Sequence, residues 1–338
     1  MKTKLIVNPV SGTNDAANHL ASINERLRQH GDTLDIVMTV AEGDATRMAA
    51  DAARGGYDRL IVAGGDGTLN DVLNGVGLVK DGFARVTFGV IPLGTGNDFA
   101  TALGIPEDIE AAVEALLLSE PTSIDLGRLN DRYFINVSGG GFIAEVSDAV
   151  NPQLKTIAGK LAYLVGGAHV LLNHEPIGAR VTINNPGEEE RVCELSLHAF
   201  AVCNSRLIGG GQLIAPDAII DDGELDVCLI EKMPTMEFVS LLRRVSTGEH
   251  VHDDRVTYFR ASRLAFGFDR VVKVNTDGQV IETDHCSYEV LHRVARFLSP
   301  RADVRVSAVG RRQPSDQGGV CRCPFDGETR LSNSAGGQ

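Results

Sequence analysis

Two glycine-rich turns carry the residues whose types and spacing could do chemistry. The first, Gly64-Gly-Asp-Gly-Thr68, follows the apolar run 60–63 and precedes apolar residues at helical spacing from Leu69 onward. Glycines let backbone N–H groups approach a ligand, and a helix N-terminus favours an anion, of which phosphate is the obvious one. Asp66 would repel a bare phosphate, so a metal ion or a polarised network is expected between them. Taken alone, the motif could equally be a tight turn.

The second turn is Pro92-Leu-Gly-Thr-Gly-Asn-Asp-Phe99, which follows a predicted strand at 86–91. It offers short polar side chains, Thr95, Asn97 and Asp98, beside two glycines. Two such turns on neighbouring strands can line one cleft, with the first holding phosphates. The pair therefore argues for a nucleotide site and against two unrelated loops.

The elements that must position these turns alternate along the first third of the chain. Apolar runs predict strands at 4–8, 34–39, 59–63 and 86–91, and 3.6-residue periodicity predicts helices between them. This alternation is typical of a parallel, doubly wound α/β sheet, whose ligand sites lie at the C-terminal ends of the strands. All the polar turns then fall on one edge, where a nucleotide would lie.

From residue 121 the pattern changes to short β-rich runs, separated by turns rich in Gly, Asn and Asp, which predicts an all-β sandwich. A helical stripe at 154–172 interrupts it, and core packing is favoured over lipid contact there. Two acidic turns stand out in this half, at 221–226 and at Asp277-Gly278, although Asp-Gly is also common in plain hairpins. The predicted organisation is an α/β domain at 1–122, a β-sandwich domain at 123–300 and a flexible tail at 301–338.

Composition excludes several classes of protein. The chain has 338 residues, a net charge of −13 and no apolar run near the ~20 residues that span a bilayer. An acidic chain is a poor nucleic-acid binder, because phosphate neutralisation needs clustered Lys and Arg.

The six cysteines have no usual zinc spacing and are expected to be reduced thiols. Without a cleavable signal at the N-terminus, a cytoplasmic location is expected. The polar and charged residues Arg206, His250, His252, Asp253 and Asp254 are expected at the surface.

As an ordered set, these motifs resemble the diacylglycerol kinase catalytic domain of the lipid kinase family, which includes sphingosine and ceramide kinases and soluble bacterial diacylglycerol kinase-like proteins. The resemblance covers about residues 2–300. Beyond the two glycine turns it includes five further segments: Asn136-Val-Ser-Gly-Gly-Gly141, Gly209-Gly-Gly211, Ala215-Pro216, Asp222-Gly-Glu-Leu-Asp226 and Asp277-Gly278.

The resemblance implies an ATP-dependent lipid kinase, a phosphotransferase of lipid metabolism and phospholipid biosynthesis that acts on the hydroxyl of a lipid such as diacylglycerol. It implies an N-terminal α/β domain like that of NAD kinases and phosphofructokinases, with the active site between the two domains. Asp277 would be the proton acceptor. Magnesium would be held by the Asp222 side chain and the backbone carbonyls of Ile219 and Glu224. The residues that would bind ATP are Thr39, Gly64, Gly65, Asp66, Gly67, Thr68, Leu69, Asn70 and Thr95.

One residue departs from the family pattern, because Gln279 stands where the family usually has Glu. The departure leaves the proposed base in place but weakens any carboxylate network around it.

Two alternatives stay open: an NAD kinase-like enzyme with a soluble substrate, and a catalytically weak relative that binds nucleotide or lipid. A lipid kinase without an anchor is expected to dock transiently on the membrane through apolar residues and arginines of the second domain. The identity of the lipid and any homo-oligomerisation are not encoded in these motifs.

Overall fold

A parallel four-stranded sheet forms the N-terminal part of the molecule. The computed structural model describes residues 1–12, 16–29, 33–149, 170–171 and 173–300. The sheet order is β4-β3-β1-β2, with every neighbouring pair parallel. Its strands are β1 (Lys2–Val7), β2 (Thr33–Met38), β3 (Arg59–Gly64) and β4 (Thr87–Pro92). The helices of this part are α1 (Ala16–Gln29), α2 (Asp44–Arg54), α3 (Asp66–Gly77), α4 (Gly82–Arg85), α5 (Asp98–Ala102) and α6 (Ile109–Leu118).

Helices cover both faces of this sheet. Successive residues of a strand point to opposite faces, so neighbouring residues of β1 pack against different helices. Leu5 of β1 belongs to a buried cluster with Ile23 of α1 and Val113 of α6. Its neighbour Ile6 belongs to a different cluster, together with Leu73 of α3. The doubly wound α/β architecture expected from the sequence is confirmed.

The remainder of the described chain is dominated by antiparallel strands around a second core. Strands β9 and β12 each pair with both β7 and β8, so the strands wrap around a buried cluster that includes Phe200 and Phe266. This confirms the predicted β-sandwich. The strands are β5 (Glu120–Leu129), β6 (Arg132–Phe134), β7 (Val137–Gly141), β8 (Ile177–Ile183), β9 (Arg191–Cys203), β10 (Leu225–Glu231), β11 (Val256–Ala261), β12 (Arg263–Thr276) and β13 (Gln279–Ser299). Its helices are α7 (Phe142–Ala149) and α8 (Thr235–Arg244), followed by 3₁₀ turns at Val245–Thr247 and Glu249–His252.

The last strand joins the two parts into one sheet. Strand β13 pairs with β12 and β5, and after a register shift between Leu291 and Ala295 its end runs parallel to β4. There Phe297 stacks on Phe88 with ring centroids 5.0 Å apart, inside the N-terminal core. The α/β part is therefore completed by residues from the C-terminal end of the sandwich, while the exact domain limits at 122 and 300 stay predictions.

Two sequence predictions concern segments with little or no described structure. The tail at 301–338 lies outside the described residues, and so does the helix predicted at 154–172 apart from residues 170 and 171. Within the described ranges, no helix combines the length and the apolar character needed to span a bilayer.

Candidate functional site

The first glycine turn is shorter than the sequence suggested. Strand β3 ends at Gly64 and helix α3 already begins at Asp66, so Gly67 to Asn70 belong to the start of the helix and not to a loop. The apolar spacing revealed the helix only from Leu69, because its first turn is built of small and polar residues. The Thr68 hydroxyl accepts a hydrogen bond from the Asn8 side-chain amide at 2.9 Å, which ties α3 to the end of β1.

The two glycine turns touch through their backbones, as the sequence predicted for neighbouring strands. A Cβ added to Gly94 would lie only 2.5 Å from the Gly65 Cα, so any side chain there would force the turns apart. Asn97, at φ 52°, closes the second turn by bonding both the N–H and the carbonyl of Gly94 at 2.9 and 2.8 Å. Both ends of the Asn97 amide are therefore bonded within its own turn, which they stabilise.

Asp66 connects the two turns. Its carboxylate accepts hydrogen bonds from the backbone N–H groups of Asp98 and Phe99, both at 3.0 Å, at the start of helix α5. The Asn136 side-chain amide, from the other part of the chain, donates to the same carboxylate at 3.2 Å. Negative charge at a helix N-terminus is favourable, so these contacts fix the Asp66 side chain at the junction of the two turns.

Asp98 has a structural task that the sequence did not reveal. The side chain is buried, and its two carboxylate oxygens accept the backbone N–H groups of Gly210 and Gly211 at 3.0 and 2.8 Å. The second glycine turn therefore orders the Gly209–Gly211 loop of the sandwich. The sequence signal was present, because an acid in one turn and a run of three glycines elsewhere offer an acceptor and free N–H donors.

Asp277 lies in the two-residue turn between β12 and β13. Asp277 and Gly278 have φ values of 47° and 93°, which is the left-handed backbone that a tight hairpin requires. The carboxylate accepts hydrogen bonds from the successive N–H groups of Ile135, Asn136 and Val137 at 2.6, 3.1 and 3.0 Å. The Asn70 amide adds a fourth at 3.0 Å. Hairpin, segment 135–137 and helix α3 are thereby joined at one carboxylate.

Burial sets the basicity of this carboxylate. Loss of solvent raises the pKa of Asp277 to about 6, although the three backbone N–H groups lower the pKa and the Asp66 charge adds a smaller upward contribution. An ordinary Asp carboxyl titrates near ~3.9. Asp277 is therefore a stronger base than a solvent-exposed aspartate and is still mostly ionised at neutral pH.

A cleft of about 350 Å³ opens between the two parts of the chain at this junction. Of the residues predicted from the sequence, Asp66, Gly67, Thr95 and Asp277 line it. Gly64, Gly65, Thr68, Leu69 and Asn70 lie in the turn and helix that support its wall, and Thr39 follows β2 on the same sheet edge without lining it. Further lining residues are Gly96, Asp98, Asn136, Val137, Ser147, Ile208, Gly209, Gly210, Asn275 and Gly278.

Comparison with known proteins identifies the relatives of this chain. The family model described as "diacylglycerol kinase catalytic domain" matches residues 2–129, and "YegS C-terminal NAD kinase beta sandwich-like domain" matches residues 136–298. A protein named diacylglycerol kinase from Bacillus subtilis is 36% identical over 279 residues, which is 82% of this chain and 89% of the relative. The chain belongs to the diacylglycerol kinase family. A Staphylococcus haemolyticus relative of the same name is 34% identical over 276 residues, with 82% and 81% of the two chains covered.

Solved structures agree with this family assignment. A candidate diacylglycerol kinase from Bacillus anthracis superposes with a TM-score of 0.75 at 26% identity, covering 90% of this chain and 96% of its own. A second structure from the same organism gives a TM-score of 0.74 at 27% identity, covering 88% and 97%. Family membership confirms the predicted fold and the predicted class of enzyme, a kinase.

The predicted magnesium ligands lie on one turn before β10. The Asp222 carboxylate accepts the Glu224 N–H at 3.1 Å, and burial raises the pKa of Asp222. Arg260 stands 3.9 Å from the Asp222 carboxylate and 3.7 Å from that of Glu224. Among the described residues, no three His, Cys, Asp or Glu side chains form a metal cluster. Magnesium at this turn, held by the Asp222 carboxylate and the carbonyls of Ile219 and Glu224, therefore stays a prediction.

Sequence reasoning did not predict the burial of two polar residues, Asp125 and His250. Asp125, fully buried in β5, accepts the N–H groups of Gly223 and Arg293, both at 2.6 Å, and so anchors the turn before β10. A lone acid within an apolar strand was the available signal. His250, which was expected at the surface, is instead fully buried, and a hydrogen bond of 3.1 Å joins its Nε2 to the Ile214 carbonyl oxygen. Burial lowers the pKa of His250 to about 4.

Proposed function

We propose that this chain transfers the γ-phosphate of ATP to the hydroxyl group of a lipid such as diacylglycerol. The observation that carries the proposal is the position of Asn136 between two carboxylates of one cleft. Its side-chain amide donates to Asp66 of the α/β part, and its backbone N–H donates to Asp277 of the sandwich. Asp66, the proposed organiser of the phosphates, and Asp277, the proposed base, thus line the same cleft from different parts of the chain.

Phosphoryl transfer needs mainly positioning and charge neutralisation, since the protein does little covalent chemistry. The N-terminus of α3, with Gly67 at the cleft surface, offers backbone N–H groups to the ATP phosphates. No Gly-Lys-Ser/Thr follows the turn, so this is not a Walker loop. Bound magnesium would supply positive charge near Asp66, whose carboxylate is already held in place by α5.

Asp277 is the proposed proton acceptor for the lipid hydroxyl. A carboxylate has about four lone-pair positions, and here the N–H groups of residues 135–137 and the Asn70 amide occupy them. Taking up a proton therefore requires one of these bonds to open. The Asn70 amide also donates to the Tyr133 carbonyl at 2.9 Å, so it keeps a partner when its bond to Asp277 opens. The three backbone donors are fixed by the chain, so the Asn70 bond is the one expected to open.

A structural magnesium at the Asp222 turn forms a second part of the proposal. Asp125 holds this turn through Gly223, and the buried strand β10 begins directly after it. A cation there would add to the Arg260 charge in balancing Asp222 and Glu224. Its role would be to fix the turn, since Asp222 and Glu224 do not line the cleft.

Access to a lipid substrate would come from transient docking of the sandwich on a membrane surface. Exposed apolar side chains of this part include Ile219, Met236 and Val271, and the chain from 241 to 312 carries 13 Lys and Arg against 9 Asp and Glu. Flotation with liposomes, with and without anionic lipid, tests this. Absence of binding under both conditions would favour a soluble substrate.

One assay tests the proposed function as a whole. Purified protein, labelled ATP and Mg²⁺ are incubated in parallel with diacylglycerol, phosphatidylglycerol, a sphingoid base and NAD. We expect label in a lipid product. Label in NAD alone would identify a soluble-substrate kinase, and nucleotide binding without any product would identify a binding protein, so either result would refute the proposal.

A further inference from the structure

Two consecutive residues of helix α3 contact the two sides of the Asp277 hairpin. The Asn70 amide donates to the Asp277 carboxylate at 3.0 Å. Its neighbour Asp71 accepts a hydrogen bond from the Gln279 side-chain amide at 2.5 Å. Gln279 is the first residue of β13 and pairs directly with Thr276 across the turn. Helix α3 therefore holds the hairpin at the proposed base and two residues beyond it.

Gln279 uses both ends of its amide. Its N–H donates to Asp71, and its carbonyl oxygen accepts a short hydrogen bond from the Arg132 guanidinium. Arg132 begins strand β6, next to Tyr133, whose backbone N–H and carbonyl are both bonded by Asn74 of α3. The side chains of Asp71, Gln279 and Arg132 thus form a chain of contacts between α3, β13 and β6, which we call the hairpin tether.

The amide of Gln279 suits its two charged neighbours, because it offers a donor to the Asp71 carboxylate and an acceptor to the Arg132 guanidinium. Partial burial raises the pKa of Asp71, the Gln279 hydrogen bond and the Arg132 charge lower it, and Glu42 raises it slightly. A carboxylate at position 279 would face Asp71 across the same short distance. Two carboxylates in such contact cannot both ionise without strong repulsion, so one would have to bind a proton or move away.

We propose that Gln279 and Asp71 are positioning residues that act as a donor–acceptor pair: they fix the Asp277 hairpin against helix α3 and so set the distance between Asp277 and the phosphate turn. The departure of this chain from the family's Glu is then compensated by Asp71, which supplies the carboxylate of the pair. The inference rests on the proposed kinase function, since the distance matters only if both sides of the cleft act on one substrate.

The test exchanges donor and acceptor. Gln279→Glu alone places two carboxylates together and should lower kcat by roughly tenfold at neutral pH, with a smaller change in the KM for ATP. Asp71→Asn alone keeps an acceptor oxygen for the Gln279 amide and should have a milder effect. The double variant, Asp71→Asn with Gln279→Glu, restores one donor and one acceptor and should return kcat to within about threefold of the parent protein. Asn24→Asp on α1 adds the same single charge at a remote site and serves as the control.

A pH profile separates positioning from simple structural damage. If the two carboxylates share a proton at low pH, the kcat deficit of Gln279→Glu should shrink as the pH falls, while the thermal midpoints of all variants stay close to one another. Full activity of Gln279→Glu at neutral pH, or failure of Asp71→Asn to rescue it, would overturn the inference. A parent protein with no kinase activity on any lipid would instead contradict the proposed function, so the two failures are distinguishable.

Discussion

Asn70 of helix α3 donates its side-chain amide to the Asp277 carboxylate at 3.0 Å, across the boundary between the α/β part and the sandwich. Asn70 is four residues after Asp66, at the start of the same helix. One helical turn therefore links the proposed phosphate-binding side of the cleft to the proposed proton acceptor. Asp66 and Asp277 lie on the two sides of this contact, so each can be replaced by mutation while the other is retained.

Replacing Asp277 by Asn should abolish most of the activity, because the amide cannot accept the proton of the lipid hydroxyl. General-base assistance is typically worth ~10²–10⁴-fold, so we expect kcat to fall by at least about a hundredfold. ATP affinity, measured by isothermal titration with a nonhydrolysable analogue, should be retained. Asn70→Ala is the matched comparison, since it removes one bond to Asp277 and leaves the carboxylate. A near-normal turnover of Asp277→Asn would exclude it as the base.

Activity of the unaltered protein should decline as the pH falls through about 6. Burial raises the pKa of Asp277 to that value, and the ionised form is the one that accepts the proton. The acidic limb of kcat/KM should therefore approach a slope of one below about pH 6. The profile is best measured with the substrate in zwitterionic vesicles, so that the lipid surface does not titrate. A limb near pH 4 would indicate an unperturbed aspartate and contradict this assignment.

The sequence was informative where the chemistry depends on local pattern. Both glycine turns follow apolar strands, so their shared position on one sheet edge followed from the βα alternation alone. Asp277 was identified by resemblance, and the structure places it in the same cleft as Asp66. What local pattern could not give is the set of contacts between distant segments. Asn136 lies 70 residues from Asp66 and 141 from Asp277, yet it bonds both.

Gln279 is a second case in which local sequence pattern could not give a contact between distant segments. From the sequence it could only be described as a weakened carboxylate network. Its effect depends on Asp71, 208 residues away, which has no unusual sequence context on α3. Only the register of the β12–β13 hairpin, together with the packing of α3 on β6, brings the two side chains together.

Asp66→Ala should weaken the binding of Mg–ATP much more than it weakens the fold. The substitution removes the acceptor for two N–H groups of α5, and loss of such a cap costs ~1–2 kcal/mol. Asp108→Ala is a matched control, because Asp108 caps α6 through the Ala111 N–H at 2.9 Å, away from the cleft. Isothermal titration should show lost affinity for Asp66→Ala alone. Equal affinity in the two variants would refute the role of Asp66.

Asp226→Asn should change stability in a pH-dependent way. The Asp226 carboxylate is buried, Tyr258 donates to one oxygen at 2.6 Å, and the other oxygen has no hydrogen-bond partner. Burial raises its pKa to about 6. Because the folded pKa exceeds the unfolded one, the parent protein loses stability from this group as the pH rises from about 4 to about 6.

The Asp226→Asn variant lacks that loss, so its free energy of unfolding relative to the parent should rise by about 2 kcal/mol over this interval and then stay constant. Urea unfolding at several pH values measures the difference, and the contribution of Asp277 cancels because both proteins retain it. A difference that does not vary with pH would show that Asp226 titrates normally.

Gly94→Ala should damage nucleotide binding through backbone contact alone. The added Cβ would lie 2.5 Å from the Gly65 Cα and 2.8 Å from the Asn97 Oδ1, so the two glycine turns must separate. Overpacking of this kind costs ~1–3 kcal/mol, and we expect the KM for ATP to rise by roughly tenfold. Gly267→Ala in β12, where no atom lies within 4 Å of the added Cβ, is the control and should leave the KM for ATP unchanged. Equal KM values for the two variants would mean that the contact between the turns does not shape the ATP site.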